Sequence, residues 1–133
     1  MSAEVAYLDA SAVIKLLVRE AETPALRRRL GAWPRRASSA LLRVELLRTV
    51  RRVGIPRLME GARRQLANID LIRVDDDLLA RATDIEPPTV RSLDAIHLAA
   101  ALSLGSDLAA IVTYDARMST AAQALGLPVI APA

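Results

Sequence analysis

The sequence predicts an α/β fold in which helices cover both faces of a parallel sheet. Short, wholly apolar stretches alternate with segments of helical periodicity, and parallel strands need such helical crossovers. A chain of 133 residues has room for one core and not comfortably for two, so residues 1–133 are read as a single domain. Apolar residues make up 53% of it while Phe is absent and aromatics are 2%, so that core must be built from Leu, Val, Ile and Ala.

The first element is the strand "VAYL", Val5 to Leu8, apolar throughout and ended by Asp9. A helix follows from about Ser11, and a second runs from about Glu22 to Leu30 with Pro24 tolerated in its first turn. "RRASS" is a weak strand candidate. "ALLRVELLRTVRRV" is a strongly amphipathic helix, and "PRLMEGARRQLANI" is another, opened by Pro56. "LIRV", Leu71 to Val74, reads as a strand, and "DDDLLARATDI" as a short helix capped by its aspartates. Pro87 and Pro88 mark a loop. The remainder reads as a helix over 92–104, a strand from Ala109 to Thr113, a helix over 116–125 stopped by Gly126, and a last short strand "PVIA".

The absence of cysteine excludes a disulfide framework, a thiolate nucleophile and Cys-ligated zinc. The N-terminus has neither a basic nor an apolar leader segment, and no apolar run approaches the ~18 residues of a membrane span, so a soluble, cytoplasmic protein is expected. Charge is unevenly placed. Between Arg27 and Arg64 stand 12 arginines against Glu45 and Glu60, a local balance of +10 in a chain of net +3. Such a segment attracts phosphate-rich or acidic partners, or forms solvated helix faces in a chain whose only lysine is Lys15. With so few aromatics, a base-stacking platform for single strands is not expected.

Four acids fall at one edge of the inferred sheet. In a parallel α/β sheet the helix after each strand starts at the C-terminal edge, where ligands bind. Asp9 directly follows the first strand, Asp115 follows the strand ending at Thr113, and Asp94 lies in the first turn of its helix, two residues after the expected cap Ser92. Glu45 sits about five residues into its helix, ~7.5 Å along the axis, within reach of a long side chain. It projects between Leu41 and Leu42 beside Thr49, on the border of the apolar stripe. Each acid has a plainer explanation: Glu45 an intrahelical pair with Arg48, Asp94 and Asp115 helix caps. Asp9 has less local reason to end an apolar strand.

Four converging carboxylates repel, and burial adds to the cost, unless cations occupy the cluster. An all-oxygen set favours Mg²⁺ or Mn²⁺ over zinc, and two such ions would balance four negative charges. Such a site suits hydrolytic phosphoryl chemistry. Ser11 and Thr113 offer hydroxyls that could orient Asp9 and Asp115. His97, the only histidine, stands at i+3 from Asp94 among apolar residues and reads as a packed helix residue or a partner of Asp94. The run Asp75, Asp76, Asp77 reads as a cap and first turn, since consecutive residues splay around a helix axis. The glycines form neither GxGxxG nor GxxxxGK(S/T), and there is no GxSxG.

The pieces "YLDASAVIKLL", Glu45 in "SALLRVELLR", "RSLDAIHLAAAL" around Asp94 and "IVTYDARM" around Asp115, in this order, resemble the PIN-domain ribonucleases, in particular the VapC toxins of bacterial toxin–antitoxin pairs. The resemblance extends over nearly the whole chain. It implies a three-layer α/β/α PIN-like domain with a central parallel sheet of order 3-2-1-4-5, which sets Asp9 beside Asp115 and the Asp75 to Asp77 run on the far side. It implies that Asp9, Glu45, Asp94 and Asp115 are the metal-binding catalytic acids, with Ser11 and Thr113 in support. The activity implied is endonucleolytic cleavage of RNA with Mg²⁺ or Mn²⁺. The partners implied are a second copy of the chain and a VapB-type antitoxin. Two places depart from the pattern: Arg117 and Met118 stand where some relatives carry a further acid, and Ala10 follows Asp9 where Thr is common.

The leading expectation is therefore a metal-dependent ribonuclease toxin, with Arg27 to Arg64 holding RNA or an acidic antitoxin segment. Two alternatives stand beside it. One is a non-catalytic RNA- or protein-binding module on the same fold, and the other a metal-dependent phosphatase acting on small molecules.

Overall fold

The computed structural model describes residues 3–133. Its centre is β1, Val5–Leu8, buried along its whole length. Strands β2 (Arg35–Ser39), β3 (Asp70–Ile72), β4 (Leu108–Val112) and β5 (Val129–Ile130) complete a five-stranded sheet of order β3-β2-β1-β4-β5. Every pairing is parallel. The chain lays down β1, β2 and β3 in one direction and then returns to place β4 on the other side of β1. Its strand order thus reverses between β1 and β4, the place where open α/β sheets form a ligand crevice.

Seven helices make the crossovers. α1 (Ala10–Leu17) and α2 (Thr23–Leu30) link β1 to β2, and α3 (Leu41–Val53) and α4 (Pro56–Ala67) link β2 to β3. α5 (Asp76–Thr83) and α6 (Ser92–Ser103) lead to β4, and α7 (Ala116–Ala124) leads to β5. The alternation of a strand's side chains divides the core into two layers. Ala6 and Leu8 of β1 pack with Val13, Leu26, Leu46 and Leu66 from the first four helices. Tyr7 points the other way, with Ile111, into Leu78, Leu98 and Met118 from the last three. The second layer is lined by alanines, Ala99 to Ala101 of α6 among them, which lets helix and sheet approach closely without aromatic filling. Among the described residues no helix is long and apolar enough to cross a membrane.

Element boundaries differ from the sequence reading where capping or pairing decides them. α1 starts at Ala10 because the Asp9 side chain caps it, accepting from the Ala12 N–H. α6 starts at Ser92 itself: its cap position is Arg91 in extended conformation, with no side-chain capping bond, so Ser92 is not the cap. β3 starts one residue earlier than expected and ends two earlier, at Ile72, because its register is set by β2, with Asp70 opposite Ala37 and Ile72 opposite Ser39. β4 begins at Leu108 and leaves Thr113 just past its end. The acidic run behaves as expected of a helix start: Asp75 caps α5 by accepting from the Leu78 N–H, and Asp76 and Asp77 fill the first turn.

Candidate active site

Parallel register between β1 and β4 sets Leu8 opposite Val112, so Asp9 and Thr113 leave the sheet side by side. The Thr113 hydroxyl donates to Asp9 Oδ2 across this seam. Asp9 Oδ1 accepts from Ser11 Oγ at 2.6 Å and from the Ala12 N–H at 3.1 Å. A carboxylate has about four acceptor positions, so three bonds leave room for one more partner. Asp9 is only 6% exposed. Burial pushes its carboxyl above the usual aspartate range, against the lowering effect of Ser11, Thr113, the Ala12 N–H and the nearby His97.

The same hydroxyls reach Asp115. Thr113 Oγ1 accepts from the Asp115 N–H at 3.1 Å, and Ser11 Oγ accepts from the Tyr114 N–H at 2.9 Å. Two short polar side chains therefore lock both strand ends to one another. Asp115 caps α7, its Oδ1 accepting from the Arg117 N–H at 2.9 Å while Oδ2 lies 3.7 Å from Arg117 Nη2. Asp9 and Asp115 thus do serve as helix caps, which supplies the local reason for Asp9 that its sequence context lacked.

Asp94 differs. It lies in the first turn of α6 but is not its cap. Burial pushes its carboxyl above the usual range, the negative charge of Asp115 pushes the same way, and Arg117, His97 and Arg91 oppose them. No hydrogen bond contributes to that balance. Asp94 stands on the rim of a cleft of about 410 Å³ lined also by Pro87, Val90, Arg91, Arg117 and Thr120. Asp9, Glu45 and Asp115 are outside that lining.

Glu45 reaches the edge from α3, and its partner is neither Arg48 nor solvent alone. Its Oε1 lies 2.6 Å from His97 Nε2. His97, 2% exposed, is therefore the partner of Glu45 and not of Asp94. Behind it, Nδ1 lies 2.7 Å from the Tyr7 hydroxyl, which accepts from the Ser39 N–H at 3.0 Å. Tyr7 and Ser39 were missed in the sequence. The available signal was Tyr7's place as the one aromatic of β1, on the face turned to α6.

The predicted residues consequently fall into three linked parts. Asp9, Ser11, Thr113 and Asp115 form one hydrogen-bonded unit. Asp94 is coupled to it by charge. Glu45 joins through its bond to His97. They do not form a closed cage: among the described residues no three His, Cys, Asp or Glu side chains lie close enough to hold one ion together. The donor set nevertheless fits a hard cation. It offers carboxylate oxygen, and Asp94 is destabilised in its charged form by burial and by Asp115. Mg²⁺ commonly keeps several waters and takes only one or two protein carboxylates, so a full cage is not required.

Comparison with known proteins places this geometry. The PIN domain model matches residues 6–124. The chain is 51% identical over 126 residues to Ribonuclease VapC46 of Mycobacterium tuberculosis (strain ATCC 25618 / H37Rv), covering 95% of this chain and 96% of that protein. It is 42% identical over 130 residues to Ribonuclease VapC47 of M. tuberculosis (strain CDC 1551 / Oshkosh), with the same coverage. Among solved structures, a toxin–antitoxin complex from Klebsiella pneumoniae superposes with a TM-score of 0.72 at 21% identity, covering 96% of this chain and 98% of that one. M. tuberculosis VapC20, a Sarcin-Ricin loop cleaving toxin, superposes with a TM-score of 0.72 at 19% identity, covering 96% and 99%. These two likenesses concern the fold.

Proposed function

The chain belongs to the PIN-domain family, among its VapC ribonucleases, and from that membership we propose that it is a divalent-metal-dependent endoribonuclease, the toxin of a type II toxin–antitoxin pair. In this reading the whole chain is one nuclease domain. Asp9, Glu45, Asp94 and Asp115 are the catalytic acids and hold Mg²⁺ or Mn²⁺. A bound divalent ion supplies water activation and charge neutralisation at the phosphodiester. Ser11 and Thr113 orient Asp9 by hydrogen bonds that also fix where Asp115 begins its helix. Arg91 and Arg117, beside Asp94 on the cleft, attract the RNA backbone to the acids that would otherwise repel it. The partners are RNA, a VapB-type antitoxin and a second copy of the chain, in the cytoplasm. The basic segment from Arg27 to Arg64 offers charge to RNA or to an acidic antitoxin segment.

The observation that carries this reading is the contrast between Asp94 and its neighbours. A binding module whose acids were only caps would explain Asp9 and Asp115, which do cap helices. It accounts for Asp94 only as a first-turn acid, although Asp94 caps nothing and burial and Asp115 disfavour its charged form. A phosphatase acting on small molecules would have no use for the 12 arginines from Arg27 to Arg64, none of which lines the cleft.

The test is cleavage of structured RNA by the purified protein with Mg²⁺ or Mn²⁺, with chelator, and with Asp94→Asn. Cleavage that needs the ion and is lost in the variant is expected. An Asp94→Asn protein that cuts as fast as the parent overturns the assignment.

A further inference from the structure

We infer that His97, itself held by Tyr7, is a positioning residue that fixes the Glu45 carboxylate at the active edge; the inference rests on the metal-nuclease reading for its consequence but on geometry for its substance. Glu45 and His97 come from helices in different layers of the core, α3 and α6, and meet beside the end of β2. There Ser39 Oγ lies 3.4 Å from His97 Nδ1.

The chain of bonds has a direction. The backbone N–H of Ser39 donates to the Tyr7 oxygen, occupying one of its acceptor positions. Tyr7 is 1% exposed, and burial keeps its phenol protonated by pushing its pKa well above the ordinary value. Its proton therefore needs an acceptor, and His97 Nδ1 stands 2.7 Å away. An imidazole that accepts at Nδ1 carries its proton at Nε2. That proton points at Glu45 Oε1, 2.6 Å distant. The opposite tautomer would set two lone pairs against each other at this distance. The sheet backbone thus sets the imidazole, and the imidazole sets the carboxylate.

Such an arrangement solves a particular difficulty. Glu45 is on a flexible side chain, part-way along a helix, and 28% exposed, so without a partner it samples many rotamers. Asp9 and Asp115 are held by helix caps and short hydroxyls, and Asp94 is a short side chain in the first turn of α6; Glu45 has none of these restraints. His97 provides the restraint without adding a ligand, as partners behind metal-binding carboxylates do.

Two measurements test this. Long-range ¹H–¹⁵N spectra of metal-free protein report the sole histidine without ambiguity, and a proton on Nε2 that shifts in Glu45→Gln is expected. An unprotonated Nε2 overturns the inference whatever the enzyme does. Mn²⁺ affinity, read from the electron paramagnetic resonance of the free ion, gives the second readout. His97→Leu should bind about 10- to 100-fold more weakly, Tyr7→Phe should lie between, and His97→Gln, which keeps a donor near the Nε2 position, should return to within about threefold of the parent. Should His97→Leu not fold, Tyr7→Phe and His97→Gln carry the comparison. Parent-like binding by both Tyr7→Phe and His97→Leu, or a His97→Gln protein that folds but binds as weakly as His97→Leu, overturns the role. Asp94→Asn separates the two levels: if it binds Mn²⁺ as well as the parent, the metal site itself is misassigned, while the tautomer still judges His97.

Discussion

Thr113 and Asp9, 104 positions apart in the chain, are joined by a buried hydrogen bond that closes the seam between the ends of β4 and β1. The same Thr113 oxygen accepts the N–H of Asp115, so one hydroxyl sets both the carboxylate of one acid and the backbone of another. This explains why a threonine, fully buried, follows an apolar strand. Replacing it with valine keeps the shape and removes both bonds, leaving Asp9 Oδ2 and the Asp115 N–H without this partner. Thr113→Val should cost about 1–3 kcal/mol in urea denaturation, and Thr113→Ser much less. An unchanged midpoint for Thr113→Val would show that the seam does not depend on the hydroxyl.

The raised carboxyls of Asp9 and Asp94 give a pH dependence with a definite sign. Their folded values lie above the ordinary 3.8, so in the window above it the folded state holds more protons than the unfolded one. Stability contributed by these protons is complete below the unfolded value and is lost as pH rises through the folded values. With chelator present, the parent should therefore lose part of its stability on going from about pH 4 to neutrality. Asp94→Asn removes one of the two groups, so its profile should be flatter and its midpoint at pH 7 higher, on the order of 2 °C. Mn²⁺ should raise the parent's midpoint and leave that of Asp94→Asn nearly unmoved. Thermal melts across the pH series check all three, and a parent and variant with parallel profiles would remove Asp94 from the account.

How far the sequence carried this molecule depends on what each feature leans on. Val5 to Leu8 and the stretch ending at Val112 were readable because strands buried on both faces must be apolar in every position. β2 has no such run. "RRASS" becomes a strand through backbone pairing with β1 and β3, which no local pattern records. β3 was displaced for the same reason, since its register follows β2. Strand order came from family resemblance, and periodicity alone could not have supplied it. The aspartates were readable because strand ends and helix starts share an edge in any parallel α/β sheet. His97 was readable as a packed helix residue but its partner was not, because Glu45 belongs to a helix on the opposite layer, 52 residues earlier, while Asp94 stands nearer at i+3.

The acidic run on the outer strand's helix makes a useful contrast. Asp75 caps α5 at 2.9 Å, and Asp76 and Asp77 fill its first turn. Asp75→Ala should cost about 0.5–2 kcal/mol of stability, as lost caps do. The double variant Asp76→Asn, Asp77→Asn should retain parental Mn²⁺ affinity and RNA cleavage. A loss of either would relocate the metal site to the most conspicuous acids in the chain, against the geometry of the sheet.

Arg117 stands beside two of the acids, and that position has a physical meaning. Its guanidinium lies 3.7 Å from Asp115 Oδ2, lowers the pKa of Asp94, and shares the cleft with Arg91. A positive charge there cannot ligate a cation, but it can hold the phosphate that an acidic site repels. Arg117→Ala should therefore act on binding before chemistry. With chelator present, so that no strand is cut, the affinity for RNA should fall and its logarithmic salt dependence should become shallower by about one phosphate contact. Arg91→Ala, in the same cleft, should do the same, and the pair should combine additively unless they grip one phosphate together. If Arg117→Ala leaves RNA affinity and salt slope intact while Mn²⁺ binding tightens, the arginine serves only to balance Asp94 and Asp115, and the substrate backbone must take another route to the acids.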